Sequence, residues 1–210
     1  MEEPHISHIV ALPPAEIQVA IFEEYALAVG KVAHAWNYLQ EKLGELFVVV
    51  TGMESEIAQA VWYSSDSDRT QRGMLKAAIS ASAHDRWKDR IPNVKADLLY
   101  LVDRANALGN NRNDAIHAPC VLAIGGSTDG STQMAASYFS SHARAKNLIG
   151  KDLLTEFDWL ERYSENLSRY SVQARRSLIS DIYPWPKRPS PPDHQPKKVL
   201  RDRRHQPLPK

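Results

Sequence analysis

At 210 residues, with 43% hydrophobic and 24% charged side chains, the chain is long enough for one buried core and has the composition of an ordinary globular protein. Its single cysteine, Cys120, excludes an internal disulfide and the paired thiols of a structural zinc site, so a reducing, cytoplasmic setting is expected. The net charge of +1 hides an uneven split: residues 183–210 hold eight Lys or Arg against two Asp, and residues 1–182 hold eighteen against twenty-three Asp or Glu.

Residues 1–13 include Glu2 and Glu3 but no basic stretch and no long apolar core, which reads as an N-terminal extension and not a signal peptide. No run approaches the roughly 18 apolar residues of a membrane span, and no membrane partner is expected. Pro13-Pro14 marks an entry turn. Beyond it, Ile21, Tyr25, Ala28, Val32, Ala35, Leu39, Leu43, Leu46 and Val50 recur at spacings of three and four. That periodicity predicts a helix of about 35 residues ending at Gly52. His34 lies beside the stripe and is expected to be packed or exposed, not catalytic; Trp36 and Trp62 are expected in the core or on a dimer face.

A shorter helix is predicted over about 54–63, followed by the loop Ser64-Ser65-Asp66-Ser67. Asp66 or Ser67 is suited to cap the next helix, predicted from Asp68 to Ala83. Arg69 and Arg72 on that helix are candidate contacts to RNA phosphates, with surface ion pairing as the plainer alternative. His84 to Arg90 form a charged connector around Trp87, expected to be a solvated corner. From Ile91-Pro92 a further stripe, Val94, Leu98, Leu101, Val102, Ala105 and Leu108, leads into Gly109-Asn110-Asn111. Those three residues are poor helix formers. The helix is nevertheless expected to continue, because Ala115 and Ile116 resume an apolar face.

Val121–Ile124 and Gln133–Phe139 flank a glycine-rich stretch and suggest a small hairpin. No Gly-Lys-Ser/Thr comes after the glycines, so this is not a phosphate loop. A last long helix, predicted over Lys146–Ile182, carries Leu153, Phe157, Leu160, Ser164, Leu167, Ser171, Ala174 and Leu178 on one stripe. The expectation is an all-α, up-and-down bundle of four to five helices over residues 14–182, two of them long, with a small hairpin-like insertion. Residues 183–210 form a basic, proline-rich tail expected to be extended and mobile.

Arg112-Asn113-Asp114-Ala115-Ile116-His117 closes the helical stretch that starts near Ile91, just before Pro119. An arginine keeps its charge, and a histidine titrates near neutral pH; together they suit chemistry on a phosphodiester. Asn113 and His117 are four apart and share a helix face, whereas Arg112 and His117 are about 140° apart, so the long arginine side chain must wrap to meet the ring. A second pair at similar spacing, Arg188 and His194, has three prolines among its five intervening residues and cannot sit on a helix. The structural alternative for the first pair is a histidine favourably placed at a helix C-terminus beside an ion-paired arginine.

The motif Arg-Asn-x-x-x-His at the end of a helix resembles the HEPN superfamily (higher eukaryotes and prokaryotes nucleotide-binding). The resemblance also rests on the helical organisation of residues 14–182 and on the first-helix stretch Val32-Ala33-His34-Ala35-Trp36-Asn37-Tyr38-Leu39. It implies a homodimeric endoribonuclease that needs neither metal nor cofactor, with RNA as substrate and a 2′,3′-cyclic phosphate product. His117 would serve as general acid or base and Arg112 would stabilise phosphate charge. Asn113 would orient the histidine or a phosphate oxygen, and Asp114 would fix the imidazole tautomer or hold Arg112. Lys197, Lys198, Arg201, Arg203 and Arg204 of the tail could hold RNA through phosphate contacts. The alternative for the tail is a solvated terminus, or one that folds onto the acidic body of a partner subunit. The family also contains toxins neutralised by an antitoxin protein, and catalytically silent binding or regulatory modules; a protein–protein interaction domain with no nucleic-acid role is the remaining alternative.

Overall fold

The computed structural model describes residues 12–124, 132–137 and 143–193, and for residues 82–85 the backbone alone. The fold is an all-α bundle with one small hairpin. Helix α1 (Ala15–Thr51) is followed by α2 (Ser55–Tyr63) and α3 (Asp68–Ala78). A π-helical turn at Ile79–Ala83 leads into the short α4 (His84–Trp87) and then α5 (Val94–His117). Strands β1 (Cys120–Ile124) and β2 (Thr132–Ala136) pair antiparallel, with Cys120 opposite Ala136 and Ile124 opposite Thr132. The helical elements close with α6 (Ala143–Lys146) and α7 (Leu153–Ile179).

The predicted stripe of α1 is buried from Val32 onward, and Tyr25 and Ala28 lie half-buried against the core. The preceding turns project, leaving Ile17, Val19, Phe22 and Leu27 exposed. Gly52 ends α1 in the left-handed conformation, φ 65°, which costs glycine little. All eight residues of the predicted α7 stripe are buried, and α7 packs along α1. Trp36 and Trp62 are both core residues, each 2% exposed.

Two predicted helices are shortened. The third keeps α geometry only to Ala78 before its π turn, and Ser67, not Asp66, caps it by accepting from the Thr70 amide. The last predicted helix, Lys146–Ile182, is shorter than expected: Lys146 is the final residue of α6, and the long helix runs from Leu153 to Ile179. Gly150 takes φ 77° in the turn between α6 and α7, and the Asp152 carboxylate accepts the Thr155 amide at 3.0 Å, starting α7.

The described charged residues of the connector, Arg86, Lys88, Asp89 and Arg90, are exposed as expected of a solvated corner, but the corner is fastened to the bundle at its tryptophan. Trp87 is buried and donates its indole NH to the Leu178 carbonyl at 3.2 Å, while Arg90 donates to the Ser177 and Leu178 carbonyls at 2.6 and 3.0 Å. Arg86 lies on the Trp87 ring and donates to the Val49 and Val50 carbonyls. Cationic side chains thus meet the last carbonyls and negative dipole ends of α1 and α7 together.

The first part of the tail has no regular secondary structure, yet residues 183–193 are fastened to the body. Ser177 donates to the Pro184 carbonyl, the Trp185 indole NH and the Arg188 guanidinium both donate to Asp97, Tyr100 donates to the Pro189 carbonyl, and Trp159 donates to the Pro192 carbonyl. Arg188 also stacks on the Tyr100 ring. The mobility expected from residue 183 is therefore corrected for this stretch: prolines stiffen the backbone, and three aromatic NH or OH donors and one ion pair hold it down. Lys197, Lys198, Arg201, Arg203 and Arg204 lie outside the described residues.

Candidate functional site at the end of the fifth helix

Helix α5 runs without a break through Gly109-Asn110-Asn111 to His117, as expected. The tertiary reason is at Gly109. A Cβ there would stand 2.9 Å from the Trp36 ring and 3.1 Å from an Arg72 terminal nitrogen. With glycine at this position, α1 and α3 can press these groups against the α5 backbone; burial offsets its poor helix propensity.

Around that contact lies a mostly buried polar cluster. Trp36 donates its indole NH to Asp68 at 2.8 Å, and the Arg72 guanidinium lies 5.0 Å from the indole ring. Arg72 is 5% exposed, donating from Nε to Asn106 at 2.7 Å and from Nη1 to Gln40 at 3.1 Å. Burial lowers its pKa from the usual arginine value, Asp68 opposes that shift, and the neighbouring charges of Arg69 and Arg112 add to it. Arg72 is thus a core residue. It is neither the surface phosphate contact nor the surface ion pair expected from its spacing with Arg69, which is exposed.

Arg112 is half-buried and lies on the same indole, 5.9 Å from the ring centre. Its Nη1 donates to Asn113 Oδ1 at 3.0 Å, and its buried Nε has no hydrogen-bond partner among the described residues. Neither Arg112 nor Arg72 makes an ion pair among the described residues. Two guanidiniums therefore share one tryptophan, and the carboxylate beside them, Asp68, already accepts from that tryptophan.

His117 occupies the last turn of α5 and is exposed. Asn113 precedes it by one turn on the same face. No side-chain hydrogen bond joins the His117 imidazole to Arg112, Asn113 or Asp114, and Arg112 turns to Trp36 and Asn113 instead of wrapping toward the ring. Asp114 performs neither role expected of it. Its carboxylate accepts from Asn147 at 2.7 Å, tying α5 to the segment after α6. Beside this bond is a cavity of about 300 Å³ bordered by Asn111, Asp114, Asn147, Lys151, Glu156 and Leu160.

Comparisons of the chain with protein-family models, with curated proteins and with solved structures find no match. The site stands on its own geometry.

Sequence reasoning missed the pairing of Arg72 with Trp36, because 36 residues separate them and nothing in their local pattern links them. It also missed the basic stretch at this end of the bundle. Residues 143–151 contain Arg144, Lys146 and Lys151 and no acid, and α6 packs against α5. Lys151 pairs with Glu156 at 3.4 Å, while Lys146 is exposed. Among the described residues no three of His, Cys, Asp and Glu stand together as a metal-binding group, and no helix is long and apolar enough to cross a membrane.

Proposed function

We propose that this protein is an endoribonuclease of the HEPN kind, cleaving RNA by attack of the ribose 2′-hydroxyl without a metal ion. The observation that carries the reading is the half-buried Arg112, with donors in excess of its acceptors, beside a second guanidinium and near the exposed His117 at the same helix end. A charged fork fixed on a tryptophan face calls for an anion. An RNA phosphate supplies one.

In this reading an imidazole takes the 2′ proton, the 2′ oxygen bonds to phosphorus, and the 5′ oxygen leaves with a proton returned by a second imidazole. The products are a 2′,3′-cyclic phosphate and a 5′-hydroxyl. Two copies of His117, one from each subunit of a homodimer, can divide the two roles, and the exposed apolar residues at the start of α1 provide a face for pairing. Arg112 stabilises charge on the non-bridging oxygens, and Asn113 holds Arg112 in place. Arg144 and Lys146 supply local positive charge to an otherwise acidic body.

The test is cleavage of a labelled structured RNA in EDTA by wild type, His117→Ala and Arg112→Lys. Loss of a positioned acid or base costs about 100-fold or more, and His117→Ala is expected to fall at least that far. Arg112→Lys keeps the charge but loses the fork, with an expected loss of about 10-fold to 100-fold. Toxicity on expression that disappears with His117→Ala would mark the toxin form of this activity, with an antitoxin as partner.

One observation favours a second reading, a binding module without catalysis: the His117 side chain has no hydrogen bond to the side chains of Arg112 or Asn113. A folded wild type that cuts nothing in a broad RNA panel would establish it.

A further inference from the structure

A second concave site involves no residue of the Arg112–His117 motif. A cavity of about 410 Å³ opens where α1, α2 and α7 meet, and its wall includes Glu41, Gly44, Glu45, Val48, Trp62 and Arg175. That volume is in the range of small-molecule sites, about 300–1,000 Å³. Two side chains there have donors to spare. Trp62 is 2% exposed, and the one hydrogen bond it makes outside its helix runs from Gln71 to its backbone carbonyl, so its indole NH has no acceptor among the described residues. Its Nε1 stands 2.9 Å from the point where a Gly44 side chain would begin, and both residues border the cavity. Glycine at 44 keeps that space open, which puts the indole NH at its wall. A buried donor without an acceptor is costly, and an oxygen placed in the cavity relieves it.

Arg175 is the second. It is half-buried, pairs with Glu45 at 3.3 Å, makes no hydrogen bond among the described residues and keeps a buried Nε without a partner. The acids opposite are balanced but not saturated. Lys42 donates to Glu41 at 2.9 Å and to Glu45 at 2.6 Å, yet a carboxylate can accept about four hydrogen bonds, and the Glu41 side chain is 56% exposed. Glu41, Lys42, Glu45 and Arg175 therefore sum to zero charge while the cavity wall shows both signs.

A simple anion would meet Glu41 and Glu45, and a simple cation would leave Arg175 and the indole NH unmet. A zwitterion answers both. Val48 and Val49, half-buried in the same wall, offer an apolar surface beside the charges. We propose that this cavity binds a free α-amino acid with an apolar side chain. Its carboxylate takes the Trp62 indole NH and the Arg175 guanidinium, its ammonium donates to Glu41 and Glu45, and its side chain lies on the two valines. This binding is independent of the ribonuclease reading.

The test uses the full chain with 15N-labelled tryptophan, which has five indole NH groups. The Trp62 signal is identified by its loss in Trp62→Phe, or by its proximity to the Phe47 ring, 5.4 Å away. Titration with L-leucine and with L-phenylalanine is expected to move that signal downfield as the NH gains an acceptor, with half-saturation at about 1 mM or below. N-acetyl-leucine lacks the ammonium and leucinamide lacks the carboxylate; each is expected to bind about tenfold more weakly or worse. Arg175→Gln should weaken leucine by about tenfold and leave leucinamide unaffected, and Glu41→Gln, at an exposed side chain, should weaken leucine by about threefold and leave N-acetyl-leucine unaffected. A Trp62 signal that stays fixed at about 10 mM of both amino acids, as for an indole NH satisfied by water, would overturn the proposal. So would equal binding of leucine and its two blocked forms, or leucine affinity that survives both substitutions. None of these readouts involves RNA, so failure of the nuclease chemistry and failure of amino-acid binding are separate results.

Discussion

Gly109 shows how one residue can be unfavourable locally and required globally. In a helix interior, alanine is better than glycine by about 1 kcal/mol. Here the added methyl would stand 2.9 Å from the Trp36 ring and 3.1 Å from Arg72, closer than packed atoms tolerate. Overpacking of this kind costs about 1–3 kcal/mol and outweighs the propensity gain. Gly109→Ala is therefore expected to lower the urea midpoint and to displace Arg72 from Trp36, visible as a change in tryptophan fluorescence. A higher midpoint would show that the cluster yields easily. The same packing explains why Arg112 was legible as a charged residue in the sequence but not as a partner of Trp36. Its spacing to His117 is local information, whereas the indole comes from a different helix.

At the scale of elements, the long helices were legible and their ends were not. Apolar periodicity marks α1, α5 and α7 because each buries one stripe, and that pattern is written in consecutive residues. The late start of α7 depends on one positive φ at Gly150 and one carboxylate cap at Asp152, signals too small to outweigh the surrounding pattern. The connector 84–90 keeps its described charged residues exposed, as its composition suggests, but its anchoring was not legible for a related reason. Charged side chains usually face water, but Arg86 and Arg90 are spent on carbonyls at the ends of α1 and α7. Arg90→Ala would strip the Ser177 and Leu178 carbonyls of that donor. A loss of about 1–2 kcal/mol is expected in denaturant titrations, with faster amide exchange in the last turn of α7. Unchanged exchange there would remove the capping role.

Across the whole molecule, several tyrosines are held in their neutral form. Burial raises the pKa of Tyr163 to about 12, with Tyr100 adding to the shift and Arg104 opposing it. Burial likewise raises Tyr170, aided by the Asp97 carboxylate and opposed by Arg188, and raises Tyr25, where Cys120 accepts its hydroxyl hydrogen at 3.3 Å. Because the folded values lie above the unfolded value near 10, this stabilisation is complete below pH 10 and is lost as pH rises from about 10 toward 12. Thermal unfolding followed from pH 8 to 12 should show a flat region and then a steep fall beginning near pH 10. Tyr163→Phe should make that fall shallower; an unaltered slope would mean that Tyr163 ionises as freely folded as unfolded.

The sequence by itself determined the fold class, the three main helical stripes, the hairpin, the continuation of α5 and the position of Asn113 and His117 one turn apart. Each of these depends on residues near one another in the chain, where period, caps and turn residues act directly on the backbone. Tertiary structure alone decided that Arg72 is a core residue, that Arg112 shares Trp36 with it, that Asp114 faces Asn147, and that residues 183–193 run back along α5 and α7. Those arrangements depend on which faces meet when the helices pack. Burial of an indole or a guanidinium is set by that meeting, and no local pattern encodes it.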